Sequence, residues 1–166
     1  MGNLKRLVLI FVIALMPVLV FAKQISFQVV QHDESSKAVT EQSLVIEDVV
    51  LNSFFEKGYI VTNSATVVSE EPENEKLYKT GLKDAFEGYS DLFVQINLFY
   101  IYNPENKKNN SSLNKINWTV TDTKTGKQID SESINDIKPF ANNKEMNNFT
   151  AVLVNEISKS ILVKKN

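Results

Sequence analysis

The chain of 166 residues has no cysteine, a single histidine (His32) and a single tryptophan (Trp118). Without cysteine there is no disulfide framework and no thiolate nucleophile or metal ligand, so the fold must stand on packing alone. The lipid attachment of a bacterial lipoprotein, which needs a Cys at its cleavage point, is ruled out as well. One histidine excludes a His-based metal cluster and leaves any Ser-His-Asp triad dependent on His32. Charge of one sign is also scarce, with 18 Lys and Arg against 20 Asp and Glu. A balance this even carries no electrostatic footprint for nucleic acid.

What is present begins with an export signal. Lys5 and Arg6 precede the apolar run Leu7 to Val20, Pro17 breaks that run late, and Val20-Phe21-Ala22 supplies a small residue before the polar Lys23-Gln24. Cleavage is expected after Ala22, giving a periplasmic or secreted protein. The run is short for a spanning helix, and it touches a membrane only if it is retained as an amino-terminal anchor. Removing 22 of the 166 residues leaves 144, enough for one domain with its own core. Because Lys5 and Arg6 leave with the signal, 16 basic side chains then face 20 acidic ones, a formal charge of −4.

Along residues 23–166 the hydrophobic period alternates between two and 3.6. Ile25, Phe27 and Val29 alternate as a strand, and the polar stretch His32 to Lys37 leads into a helix with Val39, Ile46, Val49, Val50 and Phe54 on one face, widened by Leu44, Leu51 and Phe55. Gly58 suits a left-handed residue ending that helix, and Tyr59 to Thr62 form a short strand. After the acidic connector Ser69 to Lys76, the spacing of Leu77, Tyr78, Leu82, Ala85 and Phe86 predicts a second helix closed by Gly88. Leu92 to Tyr102 is the strongest strand and, apolar on both faces, belongs at the centre of the sheet. A long polar hairpin loop is expected over 103–115. Ile116, Trp118 and Val120 then alternate before the turn Asp122 to Lys127, where Gly126 provides positive φ. In the return strand Gln128 to Ile134, Ile129, Ser131 and Ser133 share a face expected to lie under a helix. A last helix starts near Asn142 and carries Met146, Phe149, Leu153, Ile157 and Ile161 on one stripe. The fold class is a single α+β domain, order β-α-β-α-β-β-β-α, with a mixed or antiparallel sheet covered by helices.

Three segments carry a resemblance: Leu51-Asn52-Ser53-Phe54-Phe55-Glu56-Lys57-Gly58-Tyr59-Ile60-Val61, Tyr89-Ser90-Asp91-Leu92-Phe93-Val94, and Trp118 to Ile129 with its Asp122-Thr123-Lys124-Thr125-Gly126 turn. They resemble the helix-Gly-strand, central strand and hairpin of an envelope superfamily. That superfamily includes the periplasmic part of the curli-secretion lipoprotein CsgG, the Lpo-type activators of penicillin-binding proteins and the amino-terminal domain of TolB. The resemblance implies a soluble exported domain of that architecture and fixes no partner.

Chemistry is sparse. His32 with Asp33 and Glu34 is the sole candidate acid-base group, and a solvated loop after the first strand is the expected setting. Glu70, Glu71, Glu73 and Glu75 lack the spacing and Gly of a Ca²⁺ loop, and read as a solvated connector. Thr125-Gly126-Lys127 lacks the upstream Gly of a phosphate loop. Trp118, in register with Ile116 and Val120, reads as core. No catalytic residue, metal or cofactor is expected. The residues assigned to binding are Tyr100 and Tyr102, at the end of the strongest strand, with Lys107, Lys108, Asn109 and Asn110 on the loop beside them. They imply a non-enzymatic envelope protein that binds another protein as scaffold, accessory or activator, or alternatively a module for peptidoglycan or another polar envelope ligand.

Overall fold

A computed structural model describes residues 22–34, 36–72, 74–105 and 111–163. The elements follow the expected order: β1 (Gln24–His32), α1 (Glu41–Glu56), β2 (Ile60–Val68), α2 (Glu75–Glu87), β3 (Leu92–Tyr102), β4 (Ser111–Asp122), β5 (Gln128–Ile134) and α3 (Asn143–Val163). The five strands form one mixed sheet in the order β2-β1-β3-β4-β5. β1 runs parallel to β2 and β3, whereas β3-β4-β5 is an antiparallel meander. β3 is the middle strand, as its two apolar faces predict.

One face of the sheet holds the core. Ile25, Phe27 and Val29 of β1 lie in register with Leu92, Val94 and Ile96 of β3, and β4 continues the layer with Ile116, Trp118 and Val120. α1 and α3 close over it with Ile46, Val50 and Phe54, and with Met146, Leu153, Val154, Ile157 and Ile161. Thr40 caps α1 by accepting the Ser43 N–H, and Asn142 caps α3 by accepting the Glu145 N–H. The opposite face is polar: Gln28 of β1, Gln95 and Asn97 of β3, Asn117 and Thr119 of β4 and Ser131 of β5 lie side by side. α2 covers only the end of this face. Gly81 lets it approach so closely that a Cβ there would sit 2.6 Å from Cζ of Phe93.

Several expectations need correction. β4 begins at Ser111, because Ser111, Ser112, Leu113 and Lys115 pair with Tyr102, Ile101, Tyr100 and Phe99 across a register shift. The hairpin connection is therefore shorter than 103–115; strand pairing overrides the polar composition that reads as loop. β2 runs on to Val68, and its polar centre is tolerated because it is an edge strand. Leu44 and Phe55 are exposed rather than part of the packed face of α1. Ser131 and Ser133 are exposed too, since among the described residues no helix covers that side of β5. Gly58 has the expected left-handed φ of 83°, but at the end of α2 Gly88 has φ −79° and Tyr89 takes the left-handed position at φ 59°.

Candidate functional site

β2 and β3 flank β1, and the helices that lead to them, α1 and α2, lie on opposite faces of the sheet. Such a reversal of strand order opens a crevice beyond the carboxyl ends of the parallel strands, where α/β sheets commonly hold ligands. Here a cleft of about 460 Å³ is lined by His32, Asp33, Val68, Ser69, Phe99 and Tyr100, among others. Lys37 and Glu70, both exposed at its rim, form an ion pair of 3.8 Å.

His32 is the last residue of β1, only 9 % exposed, and not part of a solvated loop. Its ring stacks on Phe99 with centroids 4.5 Å apart and planes at 12°. Lys115 Nζ stands 5.4 Å from the centroid of the same Phe99 ring. His32 Nδ1 donates to the Ser69 carbonyl at 3.1 Å, since a carbonyl only accepts, and Nε2 lies 3.0 Å from Asn97 Oδ1. Asp33 is also buried, and its carboxylate accepts the Ser111 hydroxyl at 2.9 Å. Both ring nitrogens of the histidine thus face protein oxygens, and the adjacent carboxylate is held by the first residue of β4. Glu34 alone of the three points to solvent.

Tyr100 is 7 % exposed and faces inward, where its hydroxyl meets Ser43 Oγ at 2.9 Å. Burial pushes this phenol up to about 12, an effect the Ser43 and Thr40 hydrogen bonds partly oppose. It is neutral at physiological pH and offers no surface. Tyr102, two residues on, is 69 % exposed. Lys107, Lys108, Asn109 and Asn110 lie outside the described residues. Among the described residues no group of three or more His, Cys, Asp or Glu is arranged to hold a metal ion, and no helix is long and apolar enough to cross a membrane.

The residues that set His32 beyond the sequence expectations are Phe99, which also lines the cleft, Asn97 beside Nε2, and Lys115 against the Phe99 ring. A signal for them does exist in the alternation of β3. Gln95 and Asn97 interrupt the second apolar face of that strand, and Gln28 does the same one strand over. A buried amide set at period two marks a polar network rather than a core.

No curated protein matches the chain. A family model described as "Uncharacterised protein" matches residues 24–164. Solved structures with a similar outline include lipoprotein GNA1162 from Neisseria meningitidis, 14 % identical with a TM-score of 0.47, the match covering 83 % of this chain and 99 % of that one. TolB from Acinetobacter baumannii is 11 % identical with a TM-score of 0.46, covering 84 % of this chain but 28 % of TolB. The PelC dodecamer from Paraburkholderia phytofirmans is 9 % identical with a TM-score of 0.42, covering 83 % and 85 %. Of the resemblances read from sequence, these include TolB; they do not show CsgG or the Lpo-type activators. The likeness stops at the outline of the fold, and function rests on this chain's own residues.

Proposed function

We propose that this chain, which belongs to the uncharacterised family whose model spans residues 24–164, is a non-catalytic exported domain that binds another protein by adding a strand to its sheet. The observation that carries this reading is the edge of β2, unpaired on its outer side among the described residues. Ile60–Val68 reads Ile-Val-Thr-Asn-Ser-Ala-Thr-Val-Val, nine residues without a charge or a proline, at the rim of the sheet. The opposite rim, β5, carries Asp130 and Glu132, charges of the kind that blunt an edge. An uncharged rim with unpaired backbone groups suits an extended segment of a partner, which takes its affinity from main-chain hydrogen bonds. Two features temper this rim: a bulge between Ser64 and Val67, which leaves Ile60–Ser64 as the regular stretch, and the Glu47 carboxylate of α1, which accepts from Asn63 Nδ2 and Thr66 Oγ1. The non-catalytic part of the reading is supported by the setting of His32, which is buried, stacked on Phe99 and bound through Nδ1 to the Ser69 carbonyl, with Nε2 turned to Asn97 inside the protein.

The test is crosslinking in the cell envelope followed by capture of the chain, with Thr62→Lys and Ala65→Lys together in a parallel sample. Both side chains are exposed, so the variant keeps its fold. A defined protein partner present in the parent and absent from the variant is expected; equal capture from both overturns the edge assignment. A second reading, binding of peptidoglycan or another polar envelope ligand, is favoured by the open carpet of Asn117, Thr119 and Ser131, in which Asn117 Oδ1 is buried without a hydrogen-bond partner among the described residues. Retention on purified peptidoglycan that Asn117→Ala abolishes supports it, and no retention above buffer ends it.

A further inference from the structure

Because the crossovers are parallel, the amino ends of β1, β2 and β3 lie at one pole together with the carboxyl ends of α1 and α2. α3 runs the same way: Met146 lies near Thr40 at the far pole, and Ile161 lies near Lys23, Asp91 and Asp122 at this one. The chain also enters the fold here. Asp91 accepts the Gln24 N–H at 3.0 Å, and the Lys23 carbonyl accepts the Ile60 N–H at 3.1 Å.

Nine large apolar side chains remain exposed among the described residues, and five belong to this pole: Phe55, Ile60, Phe86, Tyr89 and Leu162. Tyr89 is 88 % exposed in a left-handed conformation. α1 and α2 end in the same motif, with N–H bonds from Gly58 to Phe55 and Tyr59 to Phe54 in one, and from Tyr89 to Phe86 and Ser90 to Ala85 in the other. α1 uses glycine at the left-handed residue, as folding favours. α2 uses tyrosine, so a ring is held in solvent at a conformational cost that its own fold does not recover. Among the described residues the charges beside the strand ends balance, with Lys23, Lys57, Lys124 and Lys127 against Glu56, Glu87, Asp91 and Asp122. What these described residues offer a partner is therefore chiefly apolar.

The apolar run Leu7 to Val20 ends three residues before Lys23. Three residues span at most about 10 Å, so a run lying in a bilayer holds this pole, and no other, against the membrane surface. We propose that the pole is a docking surface for the bilayer interface: while the apolar run is in the membrane, Phe55, Ile60, Phe86, Tyr89 and Leu162 settle into the interfacial layer. Tyrosine and phenylalanine suit that layer, where one side of the ring meets lipid and the other water. The domain then stands with Tyr102 turned away from the membrane and the β2 rim accessible from the side.

The absence of cysteine makes the test direct. The full chain is placed in vesicles of phosphatidylethanolamine and phosphatidylglycerol, with a polarity-sensitive dye on Tyr89→Cys or on Tyr102→Cys. The expected result is a blue-shifted dye at 89, quenched by spin labels on the acyl chains and shielded several-fold from iodide relative to 102, with little dependence on salt. Adding Phe55→Ser and Leu162→Ser to the Tyr89→Cys chain removes most of that shielding while the protein still floats with the vesicles, which separates insertion of the pole from mere tethering. Equal iodide access at 89 and 102, shielding unchanged in the serine variant, or failure of the chain to float each overturns the proposal.

Discussion

Two glycine-length positions show how residue chemistry and sequence separate. Gly58 sits at φ 83° with open space where a Cβ would stand, so Gly58→Ala is expected to lose about 1 kcal/mol from backbone strain alone. Tyr89 occupies the equivalent position of α2, and Tyr89→Gly is expected to gain up to about 1 kcal/mol by the same argument in reverse. Thermal melts of the two variants check both signs. Tyr100 gives a pH prediction. Its folded value is raised from 10.0 to about 12, so the stability associated with the neutral phenol is complete below pH 10 and is lost as pH rises towards 12. Two units correspond to about 2–3 kcal/mol. Urea titrations across that window should show the fall, and Tyr100→Phe should flatten it. Gly58 was legible in the sequence because a glycine after an amphipathic run is a strong stop signal. Tyr89 was not, because nothing in composition announces a non-glycine residue at positive φ. Tyr100 reads as a surface residue from its place beside the loop, yet it sits in the core with Leu98 and Leu113, its hydroxyl against Ser43 of α1.

At the scale of elements, the helices and strands follow from periodicity, and the deviations arise where tertiary pairing outvotes local composition. Ser111 to Lys115 has the polarity of a loop, yet it becomes strand because Phe99 to Tyr102 offers a partner for its backbone. β5 shows the converse: its alternation is real, but no helix reaches Ser131 and Ser133, since α2 stays over β1 and β3. That placement of α2 depends on Gly81. In an exposed helix, Gly81→Ala would gain about 1 kcal/mol of helix propensity; here the new methyl meets the fully buried Phe93 ring, and a net loss of about 1–3 kcal/mol is expected from overpacking. Chemical denaturation decides between the two signs. His32 belongs to this scale as well. The sequence places it beyond the first strand, whereas pairing with β3 carries the strand through it, in register with Phe99.

On the scale of the whole molecule, the acid side of the stability curve comes from carboxylates that tie the turn to the entry of the chain. The Gln24 N–H beside Asp91 holds its carboxyl below the usual range, helped by Lys124, and the Thr125 N–H and hydroxyl do the same for Asp122. Lowered values mean stability that is present above the ordinary carboxylate range and lost as pH falls below it, a loss that urea titrations from neutral to acid pH should show and Asp91→Asn should reduce. The molecule then divides into three surfaces: this pole with its exposed aromatic residues, the cleft closed around His32, and the open rim of β2. The cleft was half legible, through the lone histidine; the rim and the pole emerge only from the strand order, which periodicity does not encode. A photocrosslinking residue at position 62 of β2, with a second sample at position 131 on the opposite edge, tests partner binding at the rim most directly in intact envelopes. One discrete protein adduct from position 62 and none from 131 is expected; adducts of equal yield at both positions, or none at position 62, would rule out pairing at the β2 rim.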